Sequence, residues 1–259
     1  MEKRGQLTVF IIIGVVLVIV VALLLYYKTN IFLVNPTAED LNIRLDDIRE
    51  HIIRCTGKVG EPPIRQIGLQ GGYLSTPPDT YRLYNDSTIS YLCYSMPGTP
   101  YCVNRMLTRS DMEKQLSAAI DFGLQTCVDV HGFQKFGSFD IITPKKWTVD
   151  TRIGSDMVVV TVNYPVRLRS RRSDVEVSAQ EFTTTFNYPL GYLYDVSQDI
   201  LDYETQYGEF DQMIYMLSKR GQVRIEKKKP YPDKLYILSK YDNDYIFQFF
   251  VQGESTLVT

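Results

Sequence analysis

Residues 157–169 read MVVVTVNYPVRLR. Val158, Val160, Val162, Tyr164, Val166 and Leu168 fall at every second position, and Asn163, Arg167 and Arg169 take the opposite phase. Side chains alternate faces along a strand, so this stretch reads as a half-buried antiparallel strand with one face on a core and the other in water. Pro165 has no N–H for a ladder and predicts an edge position or a bulge. A polar turn, Arg171–Asp174, leads into a partner strand. There the apolar phase moves from Val175, Val177 and Ala179 to Phe182, Phe186 and Tyr188, and this one-residue shift predicts a bulge near Gln180.

Amphipathic helices flank this pair. Before it, a helix is expected over Asp111–Cys127. Ser110 and Glu113 form a capping box, and Met112, Leu116, Ile120 and Cys127 share one face. After it, Val196, Ile200, Tyr203, Tyr207, Phe210, Ile214 and Leu217 alternate spacings of four and three, a continuous seam of three heptads. Asp195 with Gln198 is read as its cap, and Gly221 as its end, with Lys219 and Arg220 in the last turn. Such a seam either packs on the protein's own sheet, which is the commoner use, or pairs two chains. Short strands follow at Gln222–Lys227, Leu235–Ser239 and Tyr245–Val251, the last two joined by Asp242-Asn243-Asp244.

Nearer the N-terminus, Leu41, Leu45, Ile48, Ile52 and Cys55 mark a helix from Ala38 to Cys55, which Gly57, Gly60 and Pro62-Pro63 are expected to end. Residues 64–104 read as irregular or hairpin structure, punctuated by Gly71-Gly72, Pro77-Pro78 and Pro97-Gly98-Thr99-Pro100. Asn85-Asp86-Ser87 is a glycosylation sequon, with Asn85 the acceptor.

The chain has 259 residues, a net charge of -2, 44% hydrophobic residues and 19 tyrosines against 12 phenylalanines. That hydrophobic content supports a packed core, and the absence of a basic excess excludes the usual footprint of nucleic-acid binding. Tyrosine suits half-buried strands and wet contact surfaces alike.

From Leu7 to Tyr27 no residue is charged and nearly all are Ile, Val or Leu. Twenty-one residues at about 1.5 Å each span roughly 32 Å, the thickness of a hydrocarbon core. Lys3 and Arg4 precede the run and only Lys28 follows closely, so the positive-inside rule places the N-terminus in the cytoplasm and the body outside. Tyr26 and Tyr27 lie where an aromatic belt anchors a helix. A cleaved secretory signal has a shorter apolar region and small residues after it, unlike Tyr26-Tyr27-Lys28.

The stretch Lys3-Arg4-Gly5-Gln6-Leu7-Thr8-Val9-Phe10, running straight into the apolar helix, resembles the class III signal of archaeal type IV pilin-like proteins. The resemblance covers about the first 27 residues. It implies cleavage by a prepilin-type peptidase between Gly5 and Gln6, which removes both cations pinning the helix to the cytoplasmic face. The helix is then free to leave the bilayer for a filament core. Many such proteins carry glutamate at the fifth mature position, where this chain has Phe10. Gly14 is the only glycine of the run, short of the small-xxx-small pair that packs membrane helices.

Four cysteines outside the cytoplasm point to two disulfides, with three pairings open. Cys55–Cys127 with Cys93–Cys102 is preferred. Cys55 and Cys127 each end an amphipathic helix on its apolar stripe and would meet if the helices lie parallel; Cys93 and Cys102 flank a Pro-Gly-rich turn. A zinc site lacks any C-x-x-C pair or histidine pattern. Four reduced core thiols are the alternative if the body is cytoplasmic.

Catalytic motifs are missing: there is no phosphate loop, nucleophile elbow or H-E-x-x-H. Of the two histidines, His51 is placed on the polar side of the first helix. His131 with Asp129 makes an acid–base pair only in imagination, since neither a nucleophile nor a metal pattern accompanies it. Lys227-Lys228-Lys229 reads as a solvated edge. Arg167, Arg169, Arg171 and Arg172 form a basic patch at a strand end.

The expected architecture is α+β: a cytoplasmic leader (1–6), a transmembrane helix (7–27), a juncture (28–37), and an extracytoplasmic domain (38–259) of amphipathic helices packed on an antiparallel sheet. The expected function is that of a non-enzymatic, single-pass cell-surface protein without cofactor or metal. Its partners are the lipid bilayer, the prepilin-type peptidase and, through the N-terminal helix, copies of itself. It would serve as a pilus-like filament subunit or accessory pilin; the alternative is a monomeric anchored domain that binds a partner or ligand outside the cell.

Overall fold

The computed structural model describes residues 3–31, 37–77, 79–95, 102–136 and 138–253, and in the first helix it describes side chains from 12 to 26. Helix α1 spans Lys3–Ile31. Helix α2, Ala38–Leu69, follows and forms the spine of the domain. It starts at Thr37, whose side chain accepts from the Asp40 N–H while Asp40 bonds back to the Thr37 N–H. This reciprocal cap satisfies two donors that a helix start leaves free.

Helix α2 does not end at Cys55. It runs through Gly57, Gly60, Pro62 and Pro63 for 32 residues. Each proline removes one intrahelical hydrogen bond, at a cost of about 3 kcal/mol in an isolated helix interior. The apolar stripe explains the continuation, because Leu41, Leu45, Ile48, Ile52 and Cys55 are succeeded by Ile64 and Ile67, all buried. Burying each such side chain contributes about 1.5–3 kcal/mol. The far half is also fastened from outside: the buried Tyr245 hydroxyl donates to the Ile64 carbonyl at 2.7 Å, and Gln248 donates to the Leu69 carbonyl at 3.0 Å.

Among the described residues the domain has two sheets along this spine. The first is formed by β1 (Tyr81–Tyr84), β2 (Ser87–Ser95), β3 (Cys102–Asn104), β8 (Val223–Lys228), β9 (Lys234–Lys240) and β10 (Phe247–Val251). Its order is β1-β2-β10-β9-β8, with β3 also on β2. The second contains β4 (Phe139–Ile142), β5 (Thr148–Ile153), β6 (Val158–Ser170) and β7 (Glu176–Phe186), with β6 at its centre. This second sheet is wholly antiparallel. The first is mixed, because β10 runs parallel to β2, so the expectation of a single antiparallel sheet is corrected. Nothing in the alternation of Phe247–Val251 reveals its neighbour's direction, since all five residues are buried and both faces are covered.

The decisive strand β6 alternates strictly between buried and wetter positions. Pro165 lies in a central strand rather than at an edge. Pairing with β5 ends at Asn163, pairing with β4 begins at Arg167, and the β7 register shifts between Asn163 and Val166, opposite Gln180. The proline nitrogen thus falls where no neighbour asks for an N–H.

Helix α3 spans Arg109–Cys127 and buries Met112, Leu116, Ile120 and Leu124. Its cap is Thr108, which accepts from the Asp111 N–H, rather than Ser110 with Glu113. Glu113 is drawn off by the Ile153 N–H of β5 at 2.9 Å. Helix α4 covers Leu190–Tyr207 and α5 Gln212–Ser218. The expected single seam helix is therefore two, broken at Gly208 in the left-handed conformation (φ 74°), which glycine adopts without steric cost. Asp195 does not cap α4; it pairs with Arg109 at 2.6 Å.

Two cores result. One packs the first half of α2 and the end of α3 on the four-stranded sheet, around Ile48, Ile52, Ile120 and Val160. The other packs the second half of α2 and α4 on the six-stranded sheet, around Ile64, Leu193, Ile200 and Phe249.

Candidate functional site

The N-terminal helix is the first candidate. All its described side chains, residues 12–26, are exposed, and they include twelve large aliphatic residues from Ile12 to Leu25 that are 45% exposed or more. This stretch is roughly 22 Å long at about 1.5 Å per residue. Among the described residues no helix is long and apolar enough to cross a membrane. The Gly5–Gln6 bond lies on the helical backbone of α1, and the side chains around it lie outside the described residues.

The four cysteines form two disulfides. Cys55 bonds to Cys127 with Cα atoms 5.8 Å apart, and Cys93 to Cys102 with Cα atoms 5.2 Å apart. The helix arrangement behind the first differs from expectation. Gly60 approaches Ile120, and Gly123 approaches Val59, so α2 and α3 run antiparallel where they cross. Cys55 meets Cys127 because α2 continues past it, not because two helix ends coincide. Cys93 and Cys102 are joined across the β2–β3 pair, where Cys93 faces Asn104 and Ser95 faces Cys102. The turn at Pro97–Pro100 lies outside the described residues. Asn85 is exposed at the tip of the β1–β2 hairpin, with φ positive at both Asn85 and Asp86, the two-residue turn that Asn and Asp accommodate.

The imagined acid–base pair takes another form. Asp129 accepts from the Gly132 N–H at 3.1 Å and so caps the 3-10 turn His131–Phe136, while His131 is exposed. It is His51 that lies beside Asp129, accepting from its backbone N–H at 3.5 Å and standing edge-on to Phe133. That geometry positions a loop against α2, and the sulfur beside His51, Cys55 Sγ at 3.9 Å, is held in a disulfide. Among the described residues no cluster of three or more His, Cys, Asp or Glu could hold a metal ion.

The lysine run is not a solvated edge throughout. Lys227 has a side chain only 4% exposed. Its ammonium donates to Glu209 at 2.5 Å and to the Phe210 carbonyl at 2.8 Å. It is part of a network that the sequence pattern did not reveal. Buried Glu204, on α4, accepts from the Tyr236 hydroxyl, from Lys234 at 2.7 Å and from the Phe210 N–H at 3.2 Å. Lys234 also donates to the Gly208 carbonyl and reaches Glu209 at 3.0 Å. Burial pushes the Tyr236 phenol far up, and the adjoining Glu204 carboxylate pushes the same way. Burial also raises the Glu209 carboxyl, but hydrogen bonds from Lys227, Lys234 and Lys229 outweigh it and hold the group at about 2. The network ties the α4–α5 break to β8 and β9. Every group has a partner, so its evident role is to fix this corner. The legible signal was Glu204 itself, a carboxylate on the apolar side of an amphipathic helix.

Three arginines of the patch, Arg169, Arg171 and Arg172, line an open groove of about 610 Å³ with Ser170, Ser173, Asp140 and Asp174. Arg171 is paired with Asp140 at 2.8 Å and Arg167 with Glu176 at 3.6 Å, so carboxylates offset much of the charge. A second groove, about 480 Å³, lies between Asp156, Tyr192, Gln222 and Lys240, and Lys240 is neutralised there by Asp156 at 2.9 Å. No family model matches the chain, no curated protein matches it, and no solved structure matches it.

Proposed function

We propose that the chain is a non-enzymatic, membrane-anchored cell-surface protein of the pilin-like type, with α1 as tether and assembly element and the α+β domain displayed outside the cytoplasm. The observation that carries this reading is α1 itself. It is a continuous helix of 29 residues, about 44 Å of backbone, whose described side chains are apolar and exposed. Leaving that surface in water costs about 25 cal/mol per Å², so lipid or other apolar helices must cover it. The disulfides support placement in an oxidising compartment. The leader residues Lys3–Gln6 support processing of the pilin type, with the prepilin-type peptidase as a partner.

Phe10 favours a second reading for assembly. Many pilin-like proteins carry a carboxylate at that position, and its replacement by an aromatic ring suits an anchored monomer that binds a partner with its outer domain. Mass spectrometry of the native N-terminus tests the proposal. A chain beginning at Gln6 supports it; a chain that retains Met1 through Gly5 removes the pilin-type reading.

A further inference from the structure

We infer that two copies of the chain associate through α5, in a two-fold symmetric contact between their outer domains. Helix α5 contains no buried residue. Met213, Ile214 and Leu217 lie within one ~100° arc of it and are 60%, 67% and 76% exposed. Tyr203 and Tyr207 at the end of α4 are also exposed. Tyr203 lies 5.7 Å from Tyr207, and Tyr203 and Tyr215 both rest on the buried Phe210 ring, at 5.8 and 5.2 Å, which ties the end of α4 to α5 from the inner side. The heptad seam of the sequence is thus split. Val196, Ile200 and Phe210 turn inward and are buried, while Tyr203, Tyr207, Ile214 and Leu217 are left outside.

The size of the patch argues for a protein surface as its cover. At their exposures these five side chains present roughly 600 Å², the upper end for a free monomer and close to the about 800 Å² each partner gives to a standard interface. The flanking charges argue for a second copy. Asp211 caps the N-terminus of α5 through the Met213 and Ile214 N–H groups, and Lys219-Arg220 follow its C-terminus. In an antiparallel pair of α5 helices, Asp211 of each copy faces Arg220 of the other, while Lys219 is held within its own chain by Asp199 at 3.7 Å. A two-fold contact repeats that match twice, whereas a parallel pairing sets like charges together. The contact is independent of α1 and of whether α1 lies in a bilayer.

The test uses the full chain in detergent micelles. All four native cysteines are in disulfides, so one substituted cysteine is the only free thiol. Mild oxidation of Ile214→Cys is expected to give a covalent dimer. Leu83→Cys, equally exposed on the far hairpin, is expected to give none. Adding Leu217→Glu to the Ile214→Cys chain should abolish the dimer. The inference is overturned if Ile214→Cys stays monomeric, if Leu83→Cys crosslinks as readily, or if Leu217→Glu leaves the dimer in place. Association that persists through α1 alone crosslinks neither position selectively and counts as the same refutation.

Discussion

Replacing Glu204 by alanine should destabilise the outer domain more than its single carboxylate suggests. The substitution strands three donors at once: the buried Tyr236 hydroxyl, the Phe210 N–H and the Lys234 ammonium, whose side chain is 15% exposed. Breaking a buried charge pair from one side costs about 3–5 kcal/mol. Lys234 keeps Glu209 at 3.0 Å, which places the loss near the lower end, about 3 kcal/mol. For a domain of this size that corresponds to a fall in Tm of about 6–12 °C. Glu204→Gln keeps the shape and one acceptor and should lose less, and Tyr236→Phe, which removes one donor and leaves the ion pair, should lose about 1 kcal/mol. Thermal unfolding followed by far-UV circular dichroism, with the disulfides intact, measures all three. The reasoning fails if Glu204→Ala unfolds within about 0.5 kcal/mol of the parent, or if the three variants do not rank in that order.

Other consequences are simpler to state. Glu209 is held at about 2 when folded and near 4.5 when not, so its contribution is present above 4.5 and is lost as pH falls through the folded value. The stability difference between the parent and Glu209→Gln should therefore shrink between about pH 5 and pH 2 and stay flat above, and a difference that grows on acidification contradicts the assignment. The Cys55–Cys127 bond closes a loop with a separation of 72 residues, and removing it as the double serine variant should cost about 4.4 kcal/mol in the chain-entropy model. The same change at Cys93–Cys102, separation 9, should cost less, about 2.7 kcal/mol, and chemical denaturation that reverses the order refutes the loop argument. Gly68 packs against the Ile246 carbonyl and lies 2.6 Å from the Tyr245 hydroxyl for any added Cβ, so Gly68→Ala should cost about 1–3 kcal/mol, read from the same denaturation curves.

The parts of the fold that were legible are those in which local pattern and burial agree. The period-two alternation of Val158–Leu168 and the 3.6-residue stripe of Met112, Leu116 and Ile120 each had one buried face, so the sequence period alone located them. Prolines misled where tertiary packing overrode them. Pro62-Pro63 end a helix by local rules, but Ile64 and Ile67 continue the stripe of Leu41–Cys55 in phase, and that periodicity was the better guide. The seam from Val196 to Leu217 misled in the opposite sense. Its spacing is continuous, yet Gly208 followed by Asp211 is a stop and a new cap. The parallel pairing of β10 with β2 joins residues more than 150 positions apart and left no mark on either segment. Of the site, the cysteines and the apolar helix could be read from composition and spacing. The Glu204 network could not, because its members come from α4, β8, β9 and the turn after Gly208.

Flotation of the full chain with phospholipid vesicles, washed in alkaline carbonate, tests the central proposal most directly. The intact protein is expected to rise with the vesicles, and a chain lacking residues 1–36 to remain at the bottom of the gradient, still folded by circular dichroism. An intact chain that stays at the bottom, or a truncated one that still floats, contradicts the assignment of α1 as the membrane anchor.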